Sequence, residues 1–174
     1  GSGLARLGAG TSGQFLKTQG TGSNPVWADN SAVAGSKAFY SYFTSNFGVG
    51  ASSNVEIVWS HETNDDDGVF NTSNGRYTPG VAGTYYVSSG LTINDINGTG
   101  DDLYLKFFVN GNSSGHQSGN TRYSGSGAPF NDIYASAVIK LTSSTDYISV
   151  FCYQDGGSNR FAQADLSYFT GFRL

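Results

Sequence analysis

Methionine is absent from the 174 residues, cysteine occurs once, proline three times, and charged residues make up 13%. An average globular domain carries roughly 25% charged residues. Without methionine, residue 1 is not a translation start. Gly1-Ser2-Gly3 reads as a cloning scar or linker, and the chain is expected to be the C-terminal piece of a longer one. The single Cys152 cannot form an intramolecular disulfide. It lies in an apolar strand pattern and is expected as a small buried hydrophobe. The nine basic residues stand singly and the net charge is −4. That balance excludes the clustered cations that phosphate neutralisation needs, so nucleic acid is not an expected partner. No apolar run approaches the about 20 residues of a spanning helix, and no secretory apolar core is present, so membrane insertion is not expected.

Signatures of catalysis are also missing. No nucleophile elbow or metalloprotease pattern occurs, and no two histidines fall at metal-ligand spacing. His61 and His116 are isolated in or beside polar loops and read as solvated or structural. Glycine-rich stretches near the start neither follow a strand nor open a helix, so they are not phosphate loops. Paired carboxylates at a cleft, as a glycan-modifying enzyme requires, do not pick themselves out.

What the chain does have is glycine (25 residues), tyrosine (11) and phenylalanine (12), among many Ser, Thr and Asn. Turn formers and aromatics at low charge favour an all-β protein. Residues 1–36 read as a glycine-rich stem or linker. Its apolar residues (Leu4, Leu7, Phe15, Leu16, Val26, Trp27) are too sparse for a core, so they are expected to meet copies of themselves or a neighbouring part. Residues 37–174 read as one head domain of short strands. The expected strands are Ala38–Thr44, Val55–Ser60, Val69–Phe70, Thr84–Ile93, Leu103–Val109, Ile133–Leu141, Tyr147–Tyr153 and Asp165–Leu174. Asn74-Gly75 predicts a tight hairpin turn. Residues 94–102 read as a loop, 111–127 as a long polar loop, and a Gly-Gly loop follows Tyr153. Regular strand spacing without helical periodicity implies a sandwich or jelly roll.

Two strands are bulky on both faces. Tyr85, Val87, Leu91 and Ile93 alternate with Tyr86 and Ser88. Leu103, Leu105, Phe107 and Val109 alternate with Tyr104, Lys106 and Phe108. A bulky second face is expected to be covered, and a subunit interface would cover it.

The segments FNTSNGRYTPGVAGTYYV, LYLKFFVNGN, SAVIKLTSSTDYISVFC and DLSYFTGFRL occur in an order and spacing that resemble the globular head of complement C1q. That head shares its fold with tumour necrosis factor. The resemblance runs from about Phe39 to Leu174. It implies an all-β jelly-roll sandwich that assembles as a homotrimer and acts by binding, not catalysis. Matching the tumour necrosis factor pattern places Tyr134 and Tyr168 where that family has axis-facing tyrosines. Leu166, Tyr168, Phe172 and Leu174 share one face in simple alternation. The resemblance therefore implies a trimer interface of Tyr86, Ser88, Tyr134 and Tyr168.

No collagen-like Gly-x-y run precedes the head. Instead LGAGTSGQFLKTQGTGSNPVWAD resembles short segments of phage tail fibres. Together the resemblances imply the tip of a viral fibre or similar adhesin, in a virion or extracellular setting, binding a host-surface receptor or glycan. A purely structural trimerisation cap and a secreted recognition module remain alternatives. The stretch 111–127, with His116, Arg122 and Tyr123 among small polar residues, has the composition of a recognition loop and is the candidate ligand site. No cofactor is expected. Some relatives of the resembled family bind calcium near the trimer apex. Here Asp65, Asp66 and Asp67 with Glu62, and Asp101 and Asp102 with Asp95, are the oxygen clusters that could ligate it. Three consecutive aspartates are more often a solvated loop.

Overall fold

The computed structural model describes residues 7–29, 37–65, 67–94, 102–122 and 130–174, and for 114–122 the backbone alone. The chain divides into two compact units, Gly1–Gly35 and Ser36–Leu174. In the first, β1 (Gln14–Lys17) and β2 (Val26–Asp29) form an antiparallel hairpin pairing Phe15 with Ala28 and Leu16 with Trp27. The Trp27 indole N–H donates to the Gly8 carbonyl at 2.6 Å, and Gly10 packs flush against the indole. Leu7, Phe15, Leu16 and Trp27 remain exposed. A two-stranded hairpin with so little buried surface is marginal by itself.

In the second unit every regular element among the described residues is a strand. In chain order they are β3 (Phe39–Tyr42), β4 (Phe47–Val49), β5 (Val55–Glu56), β6 (His61–Thr63), β7 (Phe70–Asn71), β8 (Arg76–Tyr77) and β9 (Gly83–Asn94). Then follow β10 (Asp102–Val109), β11 (Asn112–Arg122), β12 (Phe130–Leu141), β13 (Ile148–Gln154), β14 (Arg160–Ala162) and β15 (Tyr168–Arg173). They build two antiparallel sheets. One runs β11-β10-β13-β8-β7, with β5 also on β13. The other runs β4-β14-β9-β15-β3-β6, with β12 along the other edge of β9. The result is an all-β jelly-roll sandwich.

The alternation seen in the sequence sets the core. Tyr85, Val87, Leu91 and Ile93 of β9 face Leu103, Leu105 and Phe107 of β10 in one buried cluster. Aromatic packing dominates its centre. Phe39 stacks on Phe70 at 4.7 Å and meets Phe169 edge-on at 4.8 Å, while Phe43 stacks on Trp59 at 4.5 Å. Such pairs add about 0.5–1.5 kcal/mol each beyond the area they bury. Cys152 is buried in this cluster, as its strand pattern implied.

Several expectations are corrected. The segment from Val55 is strand only to Glu56. Beyond it Ile57 still donates to the Val150 carbonyl at 2.8 Å, Trp59 turns into the core, and pairing resumes at His61. The hairpin expected at Asn74-Gly75 is present, between β7 and β8. Four residues, 72–75, join β7 to β8, and the Gly75 amide donates to the Asn71 carbonyl at 2.8 Å. Gly75 has φ +70°, and a Cβ there would collide with the Ile57 carbonyl oxygen, so glycine is required by both conformation and space. The strands β4 and β14 pair with each other in stretches without strand signal, and β15 begins at Tyr168, not Asp165. The largest correction is β11. Residues 112–122, expected as loop, are a strand on β10, with register shifts between Tyr104 and Lys106 and between Phe107 and Val109. Its backbone hydrogen bonds come from β10, so a polar, glycine-containing sequence suffices at this edge.

Candidate functional site

The outer face of the seven-stranded sheet is built by β12, β9, β15 and β3 lying side by side. Register aligns three rows of outward side chains across it. The first row runs Tyr134, Gly90, Tyr168, Tyr42, His61. The second runs Ser136, Ser88, Thr170, Tyr40, Thr63, and the third Val138, Tyr86, Phe172. A hydroxyl-bearing row is thus set between two rows dominated by aromatic and apolar groups.

The rings lie against one another. Tyr40 and Tyr168 are parallel at 6.0 Å, Tyr86 and Phe172 are 5.4 Å apart, and the exposed His61 ring tilts against Tyr42 at 5.6 Å. The Ser88 and Tyr168 hydroxyls are 3.4 Å apart. A hollow of about 160 Å³ opens between Tyr86, Ser88, Tyr134, Ala135 and Ser136. Exposure is high for apolar groups: Tyr134 60%, Val138 61%, Leu166 59% and Leu174 64%. Tyr86, Ser88 and Tyr168 are half-buried by their own neighbours. All four residues of the expected interface therefore sit on one outward face, with none turned into the sandwich core. Tyr40, Gly90 and Val138 belong to the same face and escaped the sequence reading. Alternation in Phe39-Tyr-Ser-Tyr was a signal for Tyr40. Gly90 carried none without the strand register.

The other candidates do not converge. His116 and Arg122 occupy strand positions, paired in register with Phe107 and Asp102, so they are not on a free loop. Tyr123 lies outside the described residues, as do Asp66, Asp95 and Asp101. Asp65 spends both carboxylate oxygens on its own turn, accepting from the Val69 amide at 2.8 Å and the Phe70 amide at 2.9 Å. Asp67 pairs with Lys37 at 3.5 Å. Partial burial and the nearby Asp65 charge push the Glu62 carboxyl above its ordinary range. Asp102 receives the Tyr104 hydroxyl at 3.1 Å. No group of three or more His, Cys, Asp or Glu that could hold a metal ion occurs among the described residues. Nor is any helix among them long and apolar enough to cross a membrane.

No protein-family profile and no curated protein sequence matches the chain. Solved structures do. The globular domain of zebrafish complement 1qA is similar with TM-score 0.56 and 19% identity, covering 79% of this chain and 96% of that one. The Eiger tumour necrosis factor of S. frugiperda follows with TM-score 0.54, 16% identity, and coverage of 79% and 90%. Murine APRIL, in its structure at pH 5.0, gives TM-score 0.52 and 12% identity over 79% and 98%. The head therefore has the jelly-roll fold shared by complement C1q heads and tumour necrosis factors.

Proposed function

We propose that this chain is the non-enzymatic head of a homotrimeric viral fibre or similar adhesin, and that it binds a host-surface receptor or glycan. The observation that carries the reading is the uncovered outer face of the seven-stranded sheet. Soluble monomers rarely expose contiguous apolar patches beyond a few hundred Å². Here Tyr134, Val138, Phe172 and Leu174, all exposed, crowd one face of one sheet. Two further copies of the chain are its occupants, and the fold likeness together with the resemblance to trimeric heads supports threefold symmetry. Tyr86, Ser88, Tyr134 and Tyr168 then lie at the interface, where tyrosines bury their rings and hydroxyls find partners across the axis.

The setting follows from the stem. Its resemblance to tail-fibre segments, and the hairpin's exposed Leu16 and Trp27, favour a fibre that hands its threefold register to the head. Binding in place of catalysis is supported by the character of the face, whose outward rows are mostly aromatic rings and small hydroxyls. Light scattering on the purified chain, combined with adsorption of the labelled protein to candidate host cells, tests the proposal. A mass three times that of the chain and saturable adsorption support it. A monomer that adsorbs to nothing would overturn it.

A further inference from the structure

The opposite sheet presents a second, different constellation on its outer face. Register places Tyr104 beside Tyr153 and Lys106 beside Phe151, with Glu56 next in that row. The two tyrosine rings are 5.7 Å apart and inclined at 56°. The Lys106 ammonium lies 5.1 Å from the Tyr104 ring centre and 5.6 Å from that of Tyr153, and donates to Asn54 Oδ1 at 3.2 Å. The Tyr104 hydroxyl donates to Asp102, which fixes the ring. Phe151 stacks on Phe108 at 4.1 Å and continues the aromatic floor.

The charge arrangement is uneven. Glu56, the carboxylate in the Lys106 row, is taken by Arg76 at 3.3 Å, and Arg76 in turn lies over the Tyr147 ring at 4.2 Å. Among the described residues Lys106 has no ion-pair partner. In a chain of net charge −4, an unneutralised ammonium is thus held at the centre of an aromatic face. An ammonium has three donors and Asn54 engages one of them. The complement of this face has an apolar side to lie on tyrosine, hydroxyls for Asn54 and the phenols, and one carboxylate for Lys106.

A pyranose with a carboxylate on its ring has all three features. We propose that this face binds an acidic saccharide, a hexuronate whose ring packs on Tyr104 and Tyr153 and whose carboxylate pairs with Lys106. Tyrosine rings supply large, rigid contact area at low entropic cost, and charge-assisted hydrogen bonds are the strong ones. The inference rests on reading the chain as a recognition head, but the site is on the sheet away from the proposed interface. Self-association and saccharide binding can therefore fail separately.

The test is calorimetric titration of the full chain with a hyaluronan hexasaccharide and with the same oligomer after reduction of its carboxylates to alcohols. The native oligomer is expected to bind. Carboxyl reduction, Lys106→Gln and Tyr153→Leu are each expected to weaken binding by roughly tenfold or more. Lys106→Arg should retain most of it, and raised salt should weaken it. Oligomer mass and circular dichroism are recorded for every variant, so a folding defect in Tyr153→Leu leaves Lys106→Gln and the reduced oligomer as the deciding arms. No binding by folded wild-type protein overturns the proposal, as does equal binding of the native and reduced oligomers or by Lys106→Gln. A wild-type monomer that binds the hexuronate keeps this site and removes the trimer.

Discussion

Tyr134 and Tyr168, on strands that flank β9 from opposite sides, close over Gly90. Both are in register with it, and a Cβ on Gly90 would stand 2.7 Å from Tyr134 Cδ1 and 2.7 Å from Tyr168 Cε1. The two rings lie down on the sheet because the residue between them has no side chain. An alanine there must lift both rings into the space the proposed neighbours occupy. Gly90→Ala is therefore expected to leave far-UV circular dichroism unchanged, because glycine is a weak strand residue and the core side is untouched. Dilution should nevertheless dissociate the variant at concentrations roughly tenfold or more above wild type. Unchanged dissociation would mean that the rings do not pack against another subunit.

Asp146 ties two loops of the head together. It accepts from the Asn110 side chain at 2.8 Å, the Thr142 amide at 2.7 Å and the Ser143 amide at 2.8 Å. These bonds, the Asn110 contact foremost, hold its carboxyl below the ordinary aspartate range. A carboxyl depressed in the folded state stabilises fully above its unfolded value, near pH 4, and loses that contribution as pH falls through the folded value. Melting temperature should thus decline below about pH 4, and less steeply in Asp146→Asn. Parallel pH profiles for the two proteins would show that these bonds do not bias the titration.

Cys152 lies at zero exposure in β13, and burial pushes its thiol up to about 12. Only the thiolate reacts readily. A thiol-specific disulfide reagent at pH 8 should label no native protein and one thiol per chain in guanidinium, with labelling following the unfolding transition. Prompt labelling of native protein would contradict the burial.

How much was legible depended on whether a residue's role is local. The central strand could be read because Tyr85, Val87, Leu91 and Ile93 alternate with Tyr86 and Ser88, a period set by the chain's own pleat. The shared outward position of Tyr134 and Tyr168 was legible through the likeness of their flanking segments to a known head, while their part in an interface stays a proposal. Gly90 was not, because its place in the aromatic face is created by pairing between distant strands, whereas Tyr40 carried a local signal in the alternation of Phe39-Tyr-Ser-Tyr. β11 was missed for a related reason. Ser, Asn and Gly give residues 112–122 no strand periodicity, and only the exposed edge of β10 makes a strand of them. The hairpin at Asn74-Gly75 was legible from its turn residues, but the close approach of Gly75 to Ile57 was not, since Ile57 is distant in sequence.

In the proposed trimer three copies of this head meet through the outer face of the seven-stranded sheet. Sedimentation equilibrium of wild type and of a Tyr134→Asp, Tyr168→Asp double variant tests it most directly. An interface tyrosine packed as a core residue contributes about 3 kcal/mol or more, repeated in each subunit, and a buried carboxylate adds a desolvation cost. Wild type is expected to sediment as a trimer and the double variant as monomer or aggregate. A double variant that sediments as a stable trimer would contradict this interface.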